Sequence, residues 1–292
     1  MIIHAISDLH GHQPSLPGGD LLLLAGDYTL MNTIPEWVEF FRWLKQQPYR
    51  KKILIAGNHD GFFESGFPKS QQEAEELKEV QENLIDINEM QSEDFEYLCD
   101  SGTEFEGLKI WGTPWSLWFF GINPHCTAFT GHEDDLREKY DQIPNDLDIL
   151  ISHAPFMQVL DEAYRGKGKG VSVGSYELRK AVDRVKPKIF ICGHIHEQWG
   201  QNVLYKHERS NTKCYNCSMV DRWCDLVSTY TTIDPEKQSK SFISYHRKCL
   251  NTLSYNEEFD SYYCNVCNEW TEKNCNDPTC VFCKDRPERP NA

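Results

Sequence analysis

The sequence predicts a layered α/β fold, and two observations carry that prediction. Apolar runs at residues 2–7, 20–25, 52–56, 147–152 and 188–192 are short, nearly continuous and rich in Ile and Leu, whereas segments between them, such as 35–46 and 175–185, are amphipathic. Strands buried on both faces read as unbroken apolar runs of this kind, and amphipathic stretches joining them read as crossover helices. Alternation of the two gives helices packed on sheets.

Taken in order, each run ends in a polar signature. The first passes into Asp8-Leu9-His10, the second into Gly26-Asp27, the third into Gly57-Asn58-His59-Asp60, the fourth into His153-Ala154-Pro155 and the fifth into Gly193-His194-Ile195-His196. Residues placed directly after buried strands project from the carboxyl edge of a sheet, where α/β folds build their sites. The other elements are plainer. Residues 69–95, rich in Glu and Gln with Leu77, Val80, Leu84 and Ile87 at helical spacing, predict a helix that is either solvated or at the rim of the site. Residues 203–232 predict further strands, with Asn216-Cys217-Ser218 at a turn or strand end.

At 292 residues the chain has room for one large domain and a small module. From about Asp234 the composition shifts to Ser, Lys, Asn and Cys, which places a boundary near Pro235, with residues 1–235 as the α/β domain and 236–292 as a cysteine-rich module. A net charge of −15 gives no support to a broad electrostatic grip on nucleic acid, but bound cations can invert the potential locally for a phosphate substrate. No apolar run reaches the length of a membrane span. The start, Met-Ile-Ile-His-Ala-Ile-Ser-Asp, enters a strand without a signal-peptide pattern. Of the twelve cysteines only Cys99, Cys126 and Cys192 precede residue 214, which fits a cytoplasmic chain with a local metal site better than a disulfide scaffold.

Asp8, His10, Asp27, Asn58, His153, His194 and His196 together offer oxygen and nitrogen donors without a thiolate. Such a set suits Mn, Fe, Zn or similar divalent ions. It is larger than one ion needs. A carboxylate shared by two ions about 3.5–4 Å apart accounts for the excess, and that arrangement cleaves phosphate esters.

The order Asp-x-His, Gly-Asp, Gly-Asn-His-Asp, His, Gly-His-x-His closely resembles the calcineurin-like metallophosphoesterases over roughly residues 1–232. The resemblance implies a four-layer α-β-β-α sandwich. It also implies one ion on Asp8, His10, Asp27 and His196 and another on Asp27, Asn58, His153 and His194, with Asp27 as the bridge. By the same resemblance a metal-bridging hydroxide attacks phosphorus, His59 stabilises or protonates the leaving oxygen, and Asp60 orients His59. A finer resemblance lies in Leu108-Lys-Ile-Trp-Gly-Thr-Pro-Trp115, Ile151-Ser-His-Ala-Pro155, Gly174-Ser-Tyr-Glu-Leu178 and Gly193-His-Ile-His-Glu-Gln-Trp-Gly200. These look like the metallophosphoesterase-domain-containing family, some of whose members hydrolyse cyclic nucleotides, which implies a small phosphodiester substrate. A nuclease, a phosphomonoesterase or protein phosphatase, and a non-catalytic scaffold are the alternatives on the same core.

Two further features are open to more than one role. Trp111, Trp115, Trp118, Phe119 and Phe120 form an aromatic stretch expected in a loop, for stacking a nucleobase, for core packing or for a contact in a homo-oligomer. Arg165, Lys167 and Lys169 lie in a Gly-rich segment that either approaches phosphate or is a solvated loop. In the tail, Cys264-x-x-Cys267 and Cys280-x-x-Cys283 have the spacing of a four-thiolate structural zinc site, with Cys275 as an alternative ligand. A module this small with so little aliphatic material needs such a staple to fold. Cys214, Cys217, Cys224 and Cys249, with His246, are candidates for a second site or for buried, inert thiols.

Overall fold

The computed structural model describes residues 1–64, 94–119, 126–164, 170–208, 210–234, 242–243, 254–256, 258–259, 261–270, 280 and 286–290. The helix expected at 69–95 falls almost wholly outside these, as do Phe120, Arg165, Lys167, Lys169, His246, Cys249, Cys275 and Cys283. The chain divides into two compact units, Met1–Lys240 and Ser241–Ala292.

The first unit is built on two sheets. One runs in the order β11-β1-β2-β3-β4, from β1 (Ile3–Ile6), β2 (Gly19–Leu24), β3 (Tyr49–Leu54), β4 (Phe95–Tyr97) and β11 (Thr231–Ile233). All its pairings are parallel except β11 against β1. The other contains β9-β10-β8-β7-β6-β5, from β5 (Ser101–Phe105), β6 (Leu108–Thr113), β7 (Ile149–Ser152), β8 (Ile189–Cys192), β9 (Asn202–Lys206) and β10 (Asn211–Asn216). Here β6, β7, β8 and β10 are parallel, and β5 and β9 are antiparallel outer neighbours.

Alternation along the strands decides the layers. Ile3, Ala5, Leu21, Leu23, Ile53 and Ile55 of the first sheet meet Ile110, Ile149, Ile151, Ile189, Ile191 and Tyr215 of the second in one apolar layer. The opposite face of the first sheet, with Leu22, Leu24 and Leu54, packs on α1 (Ile34–Gln46) through Trp37, Phe40, Phe41 and Leu44. That helix begins where Glu36 accepts the backbone N–H groups of Leu30, Met31 and Thr33, with Pro35 in its first turn. On the outer face of the second sheet, Phe156 meets Phe190 and Tyr205 edge-on, and Tyr205 donates to Asp183 of α3 (Tyr176–Val185). Glu133, at the start of α2 (Glu133–Tyr140), accepts from Ser175 Oγ and the N–H groups of Tyr176 and Glu177, which ties α2 to α3. Helix, sheet, sheet and helix therefore stack in the expected order.

Trp111 departs from expectation: it lies on β6, not in a loop, because its neighbours Ile110 and Gly112 pair with β7. Cys214 and Cys217 are both buried, and Cys217 lies in the layer between the sheets.

The second unit contains a small antiparallel sheet of β12 (Ser254–Asn256), β13 (Ser261–Cys264) and β14 (Glu269–Trp270). Cys264 ends β13 and Cys267 sits in the following turn, its N–H 3.4 Å from the Cys264 sulfur. Trp270 packs against Phe259 and Tyr263 and donates to the carbonyl of Pro287. Among the described residues no helix is long and apolar enough to cross a membrane.

Candidate metal centre

The exits of β1, β2 and β3 face those of β7 and β8 across the seam between the sheets. The first two exits are zipped together: Asp8 N donates to Gly26 O at 2.9 Å, His10 N to Asp27 O at 3.1 Å and Gly11 N to Tyr28 O at 3.0 Å. Asp8, His10, Asp27 and His194 all occupy the left-handed region, with φ of 55°, 43°, 58° and 65°. Non-glycine residues held there cost about 1–3 kcal/mol each and persist only where the surroundings over-determine them. Here the surroundings do: His194 N donates to the Asp8 carboxylate at 3.0 Å, and Asp27 N to Asp60 Oδ2 at 2.7 Å.

Glycine permits the close approach. A Cβ on Gly57 would run into Asp27 Oδ1, and one on Gly193 would run into Ser7 Oγ and Asp8 Oδ2. With those positions bare, the side chains converge. His153 Nε2 lies 3.0 Å from Asn58 Oδ1 and 3.4 Å from Asp27 Oδ2, and its Nδ1 donates to the Ala25 carbonyl at 2.8 Å. His196 Nε2 lies 3.4 Å from Asp8 Oδ1 and 3.2 Å from His10 Nε2, which is itself 4.0 Å from Asp27 Oδ2. His153 and His194 rings are edge to face at 4.9 Å. All the expected donor residues are thus brought to one place. His10, Asp27 and His59 form one group with ligand atoms within 4.8 Å of one another; Asp27, His153 and His194 form a second, and His10, His196 and Cys224 a third.

The electrostatics identify what the group lacks. Asp8 and Asp27 are 0% and 2% exposed, and among the described residues their only ion-pair partners are histidines. Burial pushes the Asp27 carboxyl up, but the His153 and His59 rings hold it well below the carboxylate range. In return His153 and His196, which burial alone would lower, are lifted to about 9 and about 10 by Asp27 and Asp8 respectively. Burial wins for His10, lowered to about 4, and for His194, lowered to about 3 with the help of neighbouring His153. Buried carboxylates that recruit protons onto facing imidazoles are a site made for positive charge, and the oxygen and nitrogen donors fit divalent cations.

His59 behaves differently from the other histidines. Its backbone N–H reaches Asp27 Oδ1 at 2.8 Å and its Nδ1 donates to the Leu30 carbonyl at 2.9 Å, with the Cys126 sulfur 3.4 Å away. Its ring sits 4.7 Å from that of His10. Burial opposes its protonation, yet the Asp27 carboxylate raises it to about 10. The role expected of Asp60 is corrected. Its carboxylate does not orient the His59 ring but accepts the backbone N–H groups of Asp27, Gly57 and Tyr28, at 2.7, 2.8 and 3.0 Å, and so fastens the second exit to the third. A carboxylate wholly buried beneath three donors is fixed by them. The ring-orienting partner of His59 is the Leu30 carbonyl.

A cavity of about 290 Å³ opens beside Asn58 and His194, lined also by Ser116, Trp118, Phe119 and Glu197. Trp118 is 38% exposed there, whereas Trp115 is held by its indole N–H on Asp100 at 2.7 Å. The aromatic stretch is thus split between the cavity and the surrounding packing. Cys126 and Cys224 were not expected at the centre; they come from loops with no periodicity or spacing to reveal them.

The family model for calcineurin-like phosphoesterases matches residues 1–198. The chain is 34% identical over 228 residues to the UPF0046 protein C25E10.12 of Caenorhabditis elegans, covering 77% of this chain and 75% of that protein. It is 34% identical over 208 residues to metallophosphoesterase domain-containing protein 1 of Homo sapiens, covering 67% of this chain and 60% of the human one. The phosphopantetheinyl hydrolase of Mycobacterium tuberculosis is similar in fold, with a TM-score of 0.50 at 14% identity over 82% of this chain and 98% of that one.

Proposed function

The chain belongs to the calcineurin-like phosphoesterase family, whose members are metal-dependent phosphoric ester hydrolases, and from that premise we propose that it hydrolyses a small phosphodiester, with cyclic nucleotides as the leading substrate class. In this reading Asp8, His10, Asp27 and His196 hold one divalent cation, Asn58, His153 and His194 join Asp27 around another, and Asp27 serves both. One observation carries it: Asp27 Oδ2 lies between the two donor sets, 3.4 Å from His153 Nε2 and 4.0 Å from His10 Nε2.

Two cations bound there would neutralise phosphate oxygens and bring the pKa of the attacking water toward neutrality. The residues do the rest. The Leu30 carbonyl fixes the proton on His59 Nδ1, so a cationic His59 has its second proton on Nε2 to give to a departing alkoxide. Asn58 is oriented by its amide N–H on the Cys126 carbonyl at 3.2 Å, which turns its oxygen toward His153. Trp118 and Phe119 offer aromatic surface beside the centre for a base or other planar group. In the second unit, Cys264, Cys267, Cys280 and Cys283 hold one structural zinc; the turn that places the Cys267 N–H on the Cys264 sulfur supports this assignment.

Metal-depleted protein reconstituted with Mn2+ and assayed on cyclic nucleotides, an aryl phosphodiester and the matching monoester tests the proposal. Diester hydrolysis that depends on metal supports it. Faster hydrolysis of the monoester, with the diesters untouched, would replace it with a phosphomonoesterase. Replacing His59 by Ala should lower kcat by about 10²–10⁴-fold with metal content unchanged.

A further inference from the structure

The loop between β10 and β11 carries a cysteine to the centre. Val220 bridges Leu226, Cys224 N donates to Asp221 O at 2.9 Å, and the Asp221 carboxylate accepts the N–H groups of Trp223 and Asp225 at 2.8 and 3.2 Å. Within this turn Cys224 is left-handed, with φ of 61°, and its carbonyl accepts from His12 Nε2 at 2.9 Å. Such a backbone persists only where its surroundings fix it. As a result the Cys224 sulfur and one ring nitrogen each of His10 and His196 lie within 4.8 Å of one another.

His10 gives independent support. Its side chain is 1% exposed, its Nε2 faces His196 Nε2 at 3.2 Å, and its buried Nδ1 has no hydrogen-bond partner among the described residues. Two imidazoles and a thiol so arranged resemble a metal ligand set more than a packing contact. The second group, Asp27, His153 and His194, includes no sulfur.

The geometry points to Cys224 as a thiolate ligand to the cation held by His10 and His196, which makes this half of the centre prefer Zn2+, Fe2+ or Co2+ over Mn2+ or Mg2+. The inference rests on the reading that His10 and His196 hold a cation. On binding, the S–H bond breaks, a sulfur–metal bond forms and the proton leaves to solvent. A thiolate favours softer ions, whereas carboxylate and amide oxygens do not discriminate in this way, so the two ions would differ in kind.

Cobalt loaded into the full chain reads the bond directly, because thiolate coordination to Co2+ gives a near-ultraviolet charge-transfer band that imidazole and carboxylate do not. The tail cysteines contribute their own band, so Cys224→Ser and Cys264→Ser are compared with the unaltered chain. The expected result is a component lost in Cys224→Ser and kept in Cys264→Ser. In the unaltered protein, saturation with Co2+ should also slow alkylation of Cys224 by iodoacetamide on the order of tenfold or more, read by peptide mass spectrometry. Full cobalt occupancy with no Cys224-dependent band and no protection overturns the inference while leaving the cation at His10 and His196 intact. If His10→Ala releases no cobalt, the underlying reading fails, and this inference with it.

Discussion

The two sheets contribute unequal halves to the centre. Among the expected cation donors, exits of β1, β2 and β3 supply the oxygens, Asp8, Asp27 and Asn58, and one imidazole, His10, with the His59 ring beside it; exits of β7 and β8 supply imidazoles, His153, His194 and His196. Neither half holds both expected donor sets alone. The first is a pair of buried carboxylates in search of charge beside a neutral His10, and the second is a set of bases that the carboxylates protonate unevenly, raising His153 and His196 while burial holds His194 neutral. Cations at the seam satisfy both at once.

That inequality sets the ranking of substitutions. Asp27 reaches donors of both sets, so Asp27→Ala should empty both cation positions and lower kcat/KM by about 10³-fold or more, the several kcal/mol a metal contributes to charge stabilisation. His153→Ala should empty one. Metal analysis of the two variants decides the matter: equal metal loss in both would break the division between halves.

The halves close on each other only because Gly57 and Gly193 present no side chain to the opposing rim. Gly57→Ala would press on Asp27 and His153, and Gly193→Ala on Ser7 and Asp8, where neither the backbone nor a buried carboxylate can retreat. Each should cost about 1–3 kcal/mol of stability, measured by denaturant unfolding, as overpacking does elsewhere. Unchanged midpoints would mean that the seam is looser than its contacts indicate.

A smaller loss is expected at Asp60, which belongs wholly to the first half. Burial and the neighbouring Asp27 charge push its carboxyl up to about 7, opposed by its backbone donors. Asn at this position places an amide N–H group against at least one of three backbone donors. Metal affinity should fall about 10–100-fold, the range for supports behind a metal ligand. His59 should keep its orientation, since the Leu30 carbonyl is untouched; a change in the His59 ring signals by NMR would argue otherwise.

The strand exits were legible in the sequence because five apolar runs in succession each lead into Asp, Asn or His, where one such ending alone reads as a turn or cap. Layering was legible too, since β2 and β7 carry apolar residues at successive positions and must be covered on both faces. The connections that aim these residues were not. The Ala25 carbonyl under His153, the Leu30 carbonyl under His59 and the three N–H groups on Asp60 are backbone groups, and no side-chain pattern marks a backbone group. Cys224 is 28 residues beyond His196 in a loop whose turn, not its periodicity, delivers it. Trp111 lies on β6 although the sequence favours a loop there, because an aromatic-rich segment reads the same on a strand as in a loop.

The smallest effect should come from Tyr28, directly after Asp27, which separates the packing of the first half from its chemistry. Its side chain is buried, and its hydroxyl donates to the carbonyls of Leu24 and Ile55. Burial first, and then the nearby Asp60 charge, raises its pKa well above 10. The folded state therefore favours the neutral phenol. A raised folded pKa means a stabilising contribution that is complete below the unfolded value of about 10 and is lost as pH climbs above it. Absorbance at 295 nm should show this tyrosine silent in the native protein until alkaline unfolding releases it. Tyr28→Phe should remove that component and cost about 1 kcal/mol from the lost hydrogen bonds, with both cations still bound. Loss of metal in this variant would show that the packing beneath the first sheet and the centre above it are not separable.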